Sequence, residues 1–519
     1  MRVVTGLLPM AVERVLNLPQ RGCNRWRYPI ARAIRAPMPD TSDFVNAAAD
    51  LLGPRGWTQD AELVSPWLED WRGRYHGRAL GMASPENTAQ VAALVRLCAQ
   101  HSVPIVPQGG NSGMSGGATP DATGNAIILS LRRMNAIRQI DRASGTAVCE
   151  AGVILQNLHD AAEAQNMRFP LTLGGKGSAT VGGLISTNAG GTQVLRHGTM
   201  RAQVLGLEAV MADGTVLDTL VPLKKDNRGF DLKQLLIGSE GTLGVVTAAT
   251  LKLVPALSGR VVAWAGLPSI TAARQLLLQC ERDAADVLEG FEVMPDHCLQ
   301  AVLSHQPSSR SPLAENHPWY ALIELADGMA DHDELVERAE ALLTEGMEAG
   351  LVIDATIAAS EAQADAFWLL RDSVAPAARA IGPAMQHDIS VPVDRMAQFV
   401  EAAVPAVEQH FPGCCAVGFG HLGDGNIHFH VLAPPGAVRE VWEECDGKAI
   451  SAFVHDLVTE WHGSISAEHG IGQMKRDELG RLGDPAAIAV MQAVKAALDP
   501  KGILNPGKLV PLAPGATSP

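Results

Sequence analysis

The chain is short of positive charge, has no regular cysteine framework and contains no long apolar run. Each shortage removes a class of function. Lys and Arg number 41 against 56 Asp and Glu, for a formal net charge of -15. That balance would not neutralise phosphates in bulk, so no nucleic-acid partner is expected. The eight cysteines show no CxxC spacing, and Cys414 beside Cys415 is a poor geometry for mutual bridging. Reduced thiols in a cytoplasmic setting are the reading this suggests. No apolar stretch approaches the length of a membrane span. Aromatics supply only 4% of the residues, yet 47% are hydrophobic, which is the composition of a globular chain. At 519 residues it exceeds what one core usually supports, so two or three domains are expected.

Acids are almost missing from residues 1–39, where Arg2, Arg14, Arg21, Arg25, Arg27, Arg32 and Arg35 face Glu13 alone. Such a segment is either an Arg-rich targeting leader or an upstream extension without a role in the fold. Its irregular apolar pattern favours a poorly ordered extension over residues 1–40. From about Thr41 the pattern becomes regular. Thr88–Gln100 reads as an amphipathic helix and Val103–Pro107 as a short strand, with further strands at 126–130, 146–150, 204–211 and 242–254. A turn at 255–259 closes this domain, expected over 41–258. Next, strand-like 260–267, helical 270–282 and strand-like 287–293 are followed by strand-like 319–325, helical 333–347 and strand-like 351–355. Two β-α-β passes joined by a long connection predict a split-βαβ, ferredoxin-like antiparallel sheet over 259–411. A C-terminal segment, 412–519, is expected to pass from strands to helices and to pack back on the first domain.

Gly420–His430 reads GHLGDGNIHFH, and with Gly418 it spells GxGxxG. A dinucleotide fingerprint needs a helix opening at its third glycine. Here Asn426, His428 and His430 instead alternate with Ile427, Phe429 and Val431, a period of two that makes a strand with one polar face. What remains is strand, tight turn, strand, with the imidazoles serving as core residues or as a metal site. Two glycine clusters, Pro107–Gly117 and Leu173–Gly191, lie earlier, and neither spells a P-loop. Both offer bare backbone N–H groups that can form anion-binding concavities, or they are simply turn-rich connections.

The phrases PQGGNSG (107–113), GGLISTNAGG (182–191), GSEGTLGVVTAATLKLVP (238–255) and LNPGK (504–508) together resemble the FAD-linked oxidase family with a PCMH-type flavin domain. The likeness is to its D-2-hydroxy acid dehydrogenase branch, which acts on D-2-hydroxyglutarate or D-lactate. It implies an α+β architecture: a two-subdomain FAD-binding domain, a ferredoxin-like substrate cap and a C-terminal helical segment. It also assigns cofactor contacts. Pro107, Gln108, Gly109, Gly110, Asn111, Ser112 and Gly113 would hold the pyrophosphate. Gly174, Gly177, Ser178, Gly182, Gly183, Thr187, Asn188 and Gly190 would line the flavin. Glu240, Gly244 and Val245 match the adenine-side turn. Asn111 stands where some relatives carry a tethering histidine, so non-covalent FAD is expected.

The same branch carries GHxGDGNxH and a later EHG. By position His421, His428 and Glu468 would bind Zn2+ or Mn2+, and His469 would be the base. Hydride would pass to flavin N5 while His469 takes the hydroxyl proton. Arg371 is the candidate for the substrate carboxylate, with Gln386, Asn426 and His430 on the substrate side. The chain departs from the hydroxyglutarate branch at Gln386, where that branch has a cation, and at Ala375, where it has a hydroxyl. Trp71–Gly77 (WRGRYHG) still resembles it. The expected partners are a 2-hydroxy acid and an electron acceptor, either an electron-transferring flavoprotein, a quinone or a cytochrome. A homodimer is left open, as is a position peripheral to the inner membrane. Two rivals remain at this stage: a metal hydrolase without flavin, and a flavin-binding subunit without catalysis.

Overall fold

The computed structural model describes residues 41–223 and 225–511, so the expected extension over residues 1–40 lies outside them. The chain divides into two compact units. One spans Ser258–Ala467, and the other combines the described parts of Ile34–Leu257 and Glu468–Pro519.

The first unit is a seven-stranded antiparallel sheet. Its order is Asp354–Ile357, Gly259–Leu267, Trp319–Asp327, Leu288–Pro295, Cys415–His421, Asn426–Leu432 and Ala384–Ser390. Read across the sheet, the strands of the two β-α-β passes are the fourth, first, third and second in chain order, which is the split arrangement the rhythm predicts. Each crossover helix opens on a capping side chain. The Ser269 hydroxyl accepts from the Ala272 N–H at 3.0 Å, and the Asp331 carboxylate accepts from the Glu334 N–H at 2.9 Å. The helix His332–Glu348 packs Ala339, Leu342 and Leu343 on Val261, Ala263, Ile323 and Leu325, one face of two neighbouring strands. The opposite face carries Trp264, Leu322 and Phe419 and is covered by Phe367 and Leu370 of the helix Glu361–Asp372.

The organisation expected after residue 412 needs correction. Cys415–His421 and Asn426–Leu432 do not open a separate segment; they extend the cap sheet, with Cys415–His421 pairing onto Leu288–Pro295 and Ala384–Ser390 closing the edge. Only residues from Glu468 onward belong to the other unit. The reason is register. Glu292 pairs with His421 across 129 residues of sequence, and no local pattern encodes such a pairing.

The second unit holds a four-stranded sheet in the order Trp57–Thr58, Met82–Ala83, Ile127–Ser130 and Ile105–Gln108, parallel after the first pair. It also holds a five-stranded antiparallel sheet in the order Ile137–Asp141, Thr146–Glu150, Val245–Lys252, Val204–Val210 and Val216–Asp218. The helix Thr88–His101 begins on the Asn87 cap, which accepts from the Gln90 N–H at 2.9 Å. The late LNPGK segment is stitched to the parallel sheet: the Ile105 N–H donates to the Ile503 carbonyl at 2.7 Å, and the Asn505 N–H to the Ile105 carbonyl at 2.8 Å. No described helix is long and apolar enough to cross a membrane.

Candidate active site

In the cap sheet, strand alternation gathers polar groups on one face. His421 stands opposite Asn426, Phe419 opposite His428, and Asp388 opposite His428 on the other side. The Gly423–Asp424–Gly425 turn brings the His421 and His428 rings to 5.2 Å between centroids, at an interplanar angle of 74°. The Asp424 carboxylate accepts from the Asn426 N–H at 3.0 Å and so stabilises the turn. Gly425 has φ +79°, and a Cβ there would lie 2.2 Å from the Val391 carbonyl oxygen, so only glycine fits.

The chemistry of this face turns on a residue that the sequence reading missed, Glu292. Every position of Leu288–Pro295 is buried, and Glu292 is carried inside with it at 1% exposure. One carboxylate oxygen accepts from Arg371 Nε at 2.8 Å, and the other pairs with His421 Nδ1. Arg371 Nη2 lies 3.3 Å from His421 Nε2. A guanidinium only donates, so Nε2 carries the lone pair and the proton sits on Nδ1, facing Glu292. Burial alone would raise the Glu292 carboxyl, but Arg371 and then His421 outweigh it and hold it down at about 2. Burial, followed by the charge of Arg371, pushes His428 well below its ordinary value, so its ring is neutral and can act as a ligand. Arg371 also stacks over Phe419, with its guanidinium carbon 5.9 Å from the ring centroid.

The other cap residues lie along the same face. Asn426 Nδ2 donates to Asp388 at 2.9 Å and to the Ile389 carbonyl at 3.0 Å, while its buried Oδ1 has no partner among the described residues. His430 packs against Phe419 at 4.9 Å between centroids. Gln386 pairs in register with His430, and its buried Nε2 has no partner among the described residues. His387 points to the opposite face, where it bonds the Phe429 carbonyl and the Ser451 hydroxyl, both at 3.0 Å.

In the second unit the loop after Ile105–Gln108 behaves differently. The backbone N–H groups of residues 109–113 donate to nothing among the described residues. Gln108 and Asn111 turn their side chains inward instead. Gln108 Nε2 donates to the Trp67 and Ala118 carbonyls at 3.0 and 2.9 Å, and Asn111 Nδ2 to the Glu69 carbonyl at 2.8 Å. A Cβ on Gly110 would lie 1.7 Å from the Ser178 carbonyl oxygen, so the two glycine loops touch backbone to backbone. Gly113, Gly174 and Gly177 by contrast face open space, where a Cβ would meet nothing within 4 Å. Five unpartnered N–H groups beside open glycines suit an anionic diphosphate and a flat ring, so these residues fit FAD. The remaining predicted contacts are partly structural. Gly182 packs on Ala151, Thr187 donates to the Gly183 carbonyl at 3.1 Å, and Val245 is buried at the start of a core strand.

Glu240, in a left-handed conformation with φ 52°, has a role that the sequence did not suggest. Its carboxylate accepts from the Ile471 and Gly472 N–H groups at 2.7 and 2.8 Å. The Ser115 hydroxyl meets the His469 and Gly470 carbonyls, both at 3.1 Å. His469 thus sits on a segment clamped from two sides. Glu468 precedes it, and its carboxylate lies near Gly190, 3.4 Å from where a Cβ would stand.

Comparisons with known proteins agree with this picture. Residues 79–220 match the FAD binding domain model, and 257–509 match the FAD linked oxidases C-terminal domain model. The chain is 39% identical to the mitochondrial D-2-hydroxyglutarate dehydrogenase of Bos taurus, over 93% of this chain and 86% of that one. It is 37% identical to the enzyme of the same name from Arabidopsis thaliana, over 91% and 82%. It is 32% identical to the D-2-hydroxyglutarate–pyruvate transhydrogenase of Saccharomyces cerevisiae, over 87% and 91%. Among solved structures, p-cresol methylhydroxylase superposes with a TM-score of 0.69 at 16% identity, covering 92% of this chain and 98% of that one, which shows the shared PCMH-type fold. One expectation is overturned. The bovine, Arabidopsis and rat relatives are named as mitochondrial, which points away from the cytoplasm. The cysteine spacing on which that expectation rested does not distinguish one compartment from another.

Proposed function

This chain belongs to the FAD-linked oxidase family, and from that premise we propose that it is an FAD- and divalent-metal-dependent dehydrogenase converting a D-2-hydroxy acid to its 2-oxo acid. The observation that carries the reading is the His421–His428 pair, one ring fixed through Nδ1 by Glu292 and the other held neutral by its surroundings. Glu468 supplies the third ligand in this reading. Two imidazoles and a carboxylate are a donor set suited to Zn2+ or Mn2+ with an open position.

When bound, non-covalent FAD supplies a hydride acceptor at N5 and the cation supplies Lewis acidity to the substrate hydroxyl. The chain's own residues do the rest. Arg371 holds the carboxylate of the 2-hydroxy acid through its forked N–H groups. His469, kept in place by Ser115 and Glu240, takes the hydroxyl proton, while the α-hydrogen leaves with its electron pair. The glycine loops orient the diphosphate through backbone alone. Gln386, Asn426 and His430 face the substrate's side chain. With a neutral amide at Gln386 and a methyl at Ala375, D-lactate or another acid without a second carboxylate is as good a candidate as D-2-hydroxyglutarate. Electrons then pass to an electron-transferring flavoprotein, a quinone or a cytochrome.

A dye-coupled screen of D- and L-2-hydroxy acids, run before and after chelation, tests this reading. Turnover of a D-acid that is lost with chelator and restored by Zn2+ or Mn2+ is the expected result. His421→Ala should abolish turnover while leaving bound FAD; full activity in that variant would refute the metal role.

A further inference from the structure

We propose that Glu292 is a positioning residue that fixes, with one carboxylate, both the metal ligand His421 and the substrate-binding Arg371. The inference rests on the metal reading above and adds a residue to it. Its basis is the geometry of the carboxylate: one oxygen takes the His421 Nδ1 proton, the other takes Arg371 Nε at 2.8 Å, and the side chain is buried in a strand with no exposed position.

Each contact has a separate consequence. Bonding Nδ1–H to a carboxylate commits His421 to the tautomer whose Nε2 lone pair can bind a cation, and it raises the basicity of that nitrogen. Bonding Nε holds the guanidinium in one plane and so fixes the direction in which its terminal N–H groups point. The strand explains why one acid can serve both. Glu292 pairs in register with His421, so their side chains share a face, and Arg371 comes down onto that face from the last turn of Glu361–Asp372.

The two-oxygen requirement gives the test. Glu292→Gln keeps the shape but offers one acceptor and one donor, so only one of the two partners can be satisfied. Zn2+ affinity is measured on FAD-loaded, metal-free protein by competition with a chromophoric chelator, alongside kcat and KM for the best D-2-hydroxy acid. The expected result is Zn2+ binding weakened by about 10- to 100-fold, a raised KM, and unchanged flavin content. Glu292→Asp keeps both oxygens and the charge on a shorter arm, so it should recover part of the Zn2+ affinity, and it serves as the probe where the amide variant does not fold. Zn2+ affinity within twofold of the parent in folded Glu292→Gln would overturn the inference; where that variant does not fold, Glu292→Asp with both Zn2+ affinity and KM equal to the parent's would do so. A failure of the underlying reading looks different, because His421→Ala would then also leave Zn2+ affinity unchanged.

Discussion

The strand Leu288–Pro295 and the loop after Ile105–Gln108 both carry hydrogen-bonding groups into partly or wholly buried surroundings, but with different atoms. In the strand it sits on side chains: Glu292 is buried at 1% exposure, and its oxygens are answered by an imidazole and a guanidinium. In the loop it sits on the backbone, whose N–H groups at 109–113 have no partner among the described residues. Charged side chains can discriminate by protonation, tautomer and reach, which suits a cation and a carboxylate substrate. Bare backbone is indifferent to pH and tolerates close approach, which suits a large anionic cofactor that stays bound. Even Glu240, a buried acid of that second unit, grips backbone N–H groups.

The contrast breaks most readily at the backbone end. Gly110→Ala would place a methyl 1.7 Å from the Ser178 carbonyl oxygen, and backbone cannot yield as a flexible side chain does. The purified variant should have lost most of its flavin absorbance. Gly113→Ala is the sharper probe, because a Cβ there meets nothing within 4 Å. The melting temperature of its FAD-stripped form should match the parent, while FAD affinity falls about tenfold, equivalent to roughly 1.4 kcal/mol. Parent-like FAD affinity in Gly113→Ala would mean that the cofactor does not approach this part of the loop.

The same contrast governs what could be read from sequence. The loop was legible because glycine spacing is a local signal, and the alternation of Asn426, His428 and His430 was legible because a strand has period two. The helix read at Thr88–Gln100 appears as Thr88–His101 for the same local reason. Glu292 was not legible. Its strand, LEGFEVMP, reads as an apolar run with two acids, and only the distant pairing with Cys415–His421 shows what the second acid is for. An acid at a strand position flanked by apolar neighbours on both sides was the one available signal. The Ala384–Ser390 edge was missed as well, because its MQHDIS segment mixes polar and apolar residues on both faces.

At the charged end, His428 gives a smaller effect with a defined sign. Its folded pKa lies well below 6.5, chiefly through burial, so below about pH 6.5 the unfolded chain binds a proton that the folded ring refuses. Its contribution is therefore fully present above pH 6.5 and is lost as pH falls, by at most about 1.4 kcal/mol per pH unit. Thermal melts of metal-free, FAD-loaded protein from pH 8 to pH 5 should drop more steeply for the parent than for His428→Asn. Parallel curves would show that His428 is not held neutral and would remove one support for its role as a ligand.

The smallest expected effect separates the two units by thiol chemistry. Cys98 and Cys149 in the second unit are buried, and burial pushes Cys149 up to about 12. Cys280 and Cys298 in the cap sheet unit are equally enclosed, with Cys280 also at about 12 through burial. Cys414, Cys415 and Cys445 are partly or fully exposed, and all three lie within Ser258–Ala467. Burial raises Cys414 and Cys415 as well, so it is access that should let brief labelling of the native protein with iodoacetamide mark these three among the described cysteines and leave the other four unmodified. Flavin content should not change, because no described glycine-loop residue is a cysteine. Early labelling of Cys149, which lies in the core strand Thr146–Glu150, would show that the unit holding the backbone-built loop opens in solution and that its glycine contacts are less rigid than their packing implies.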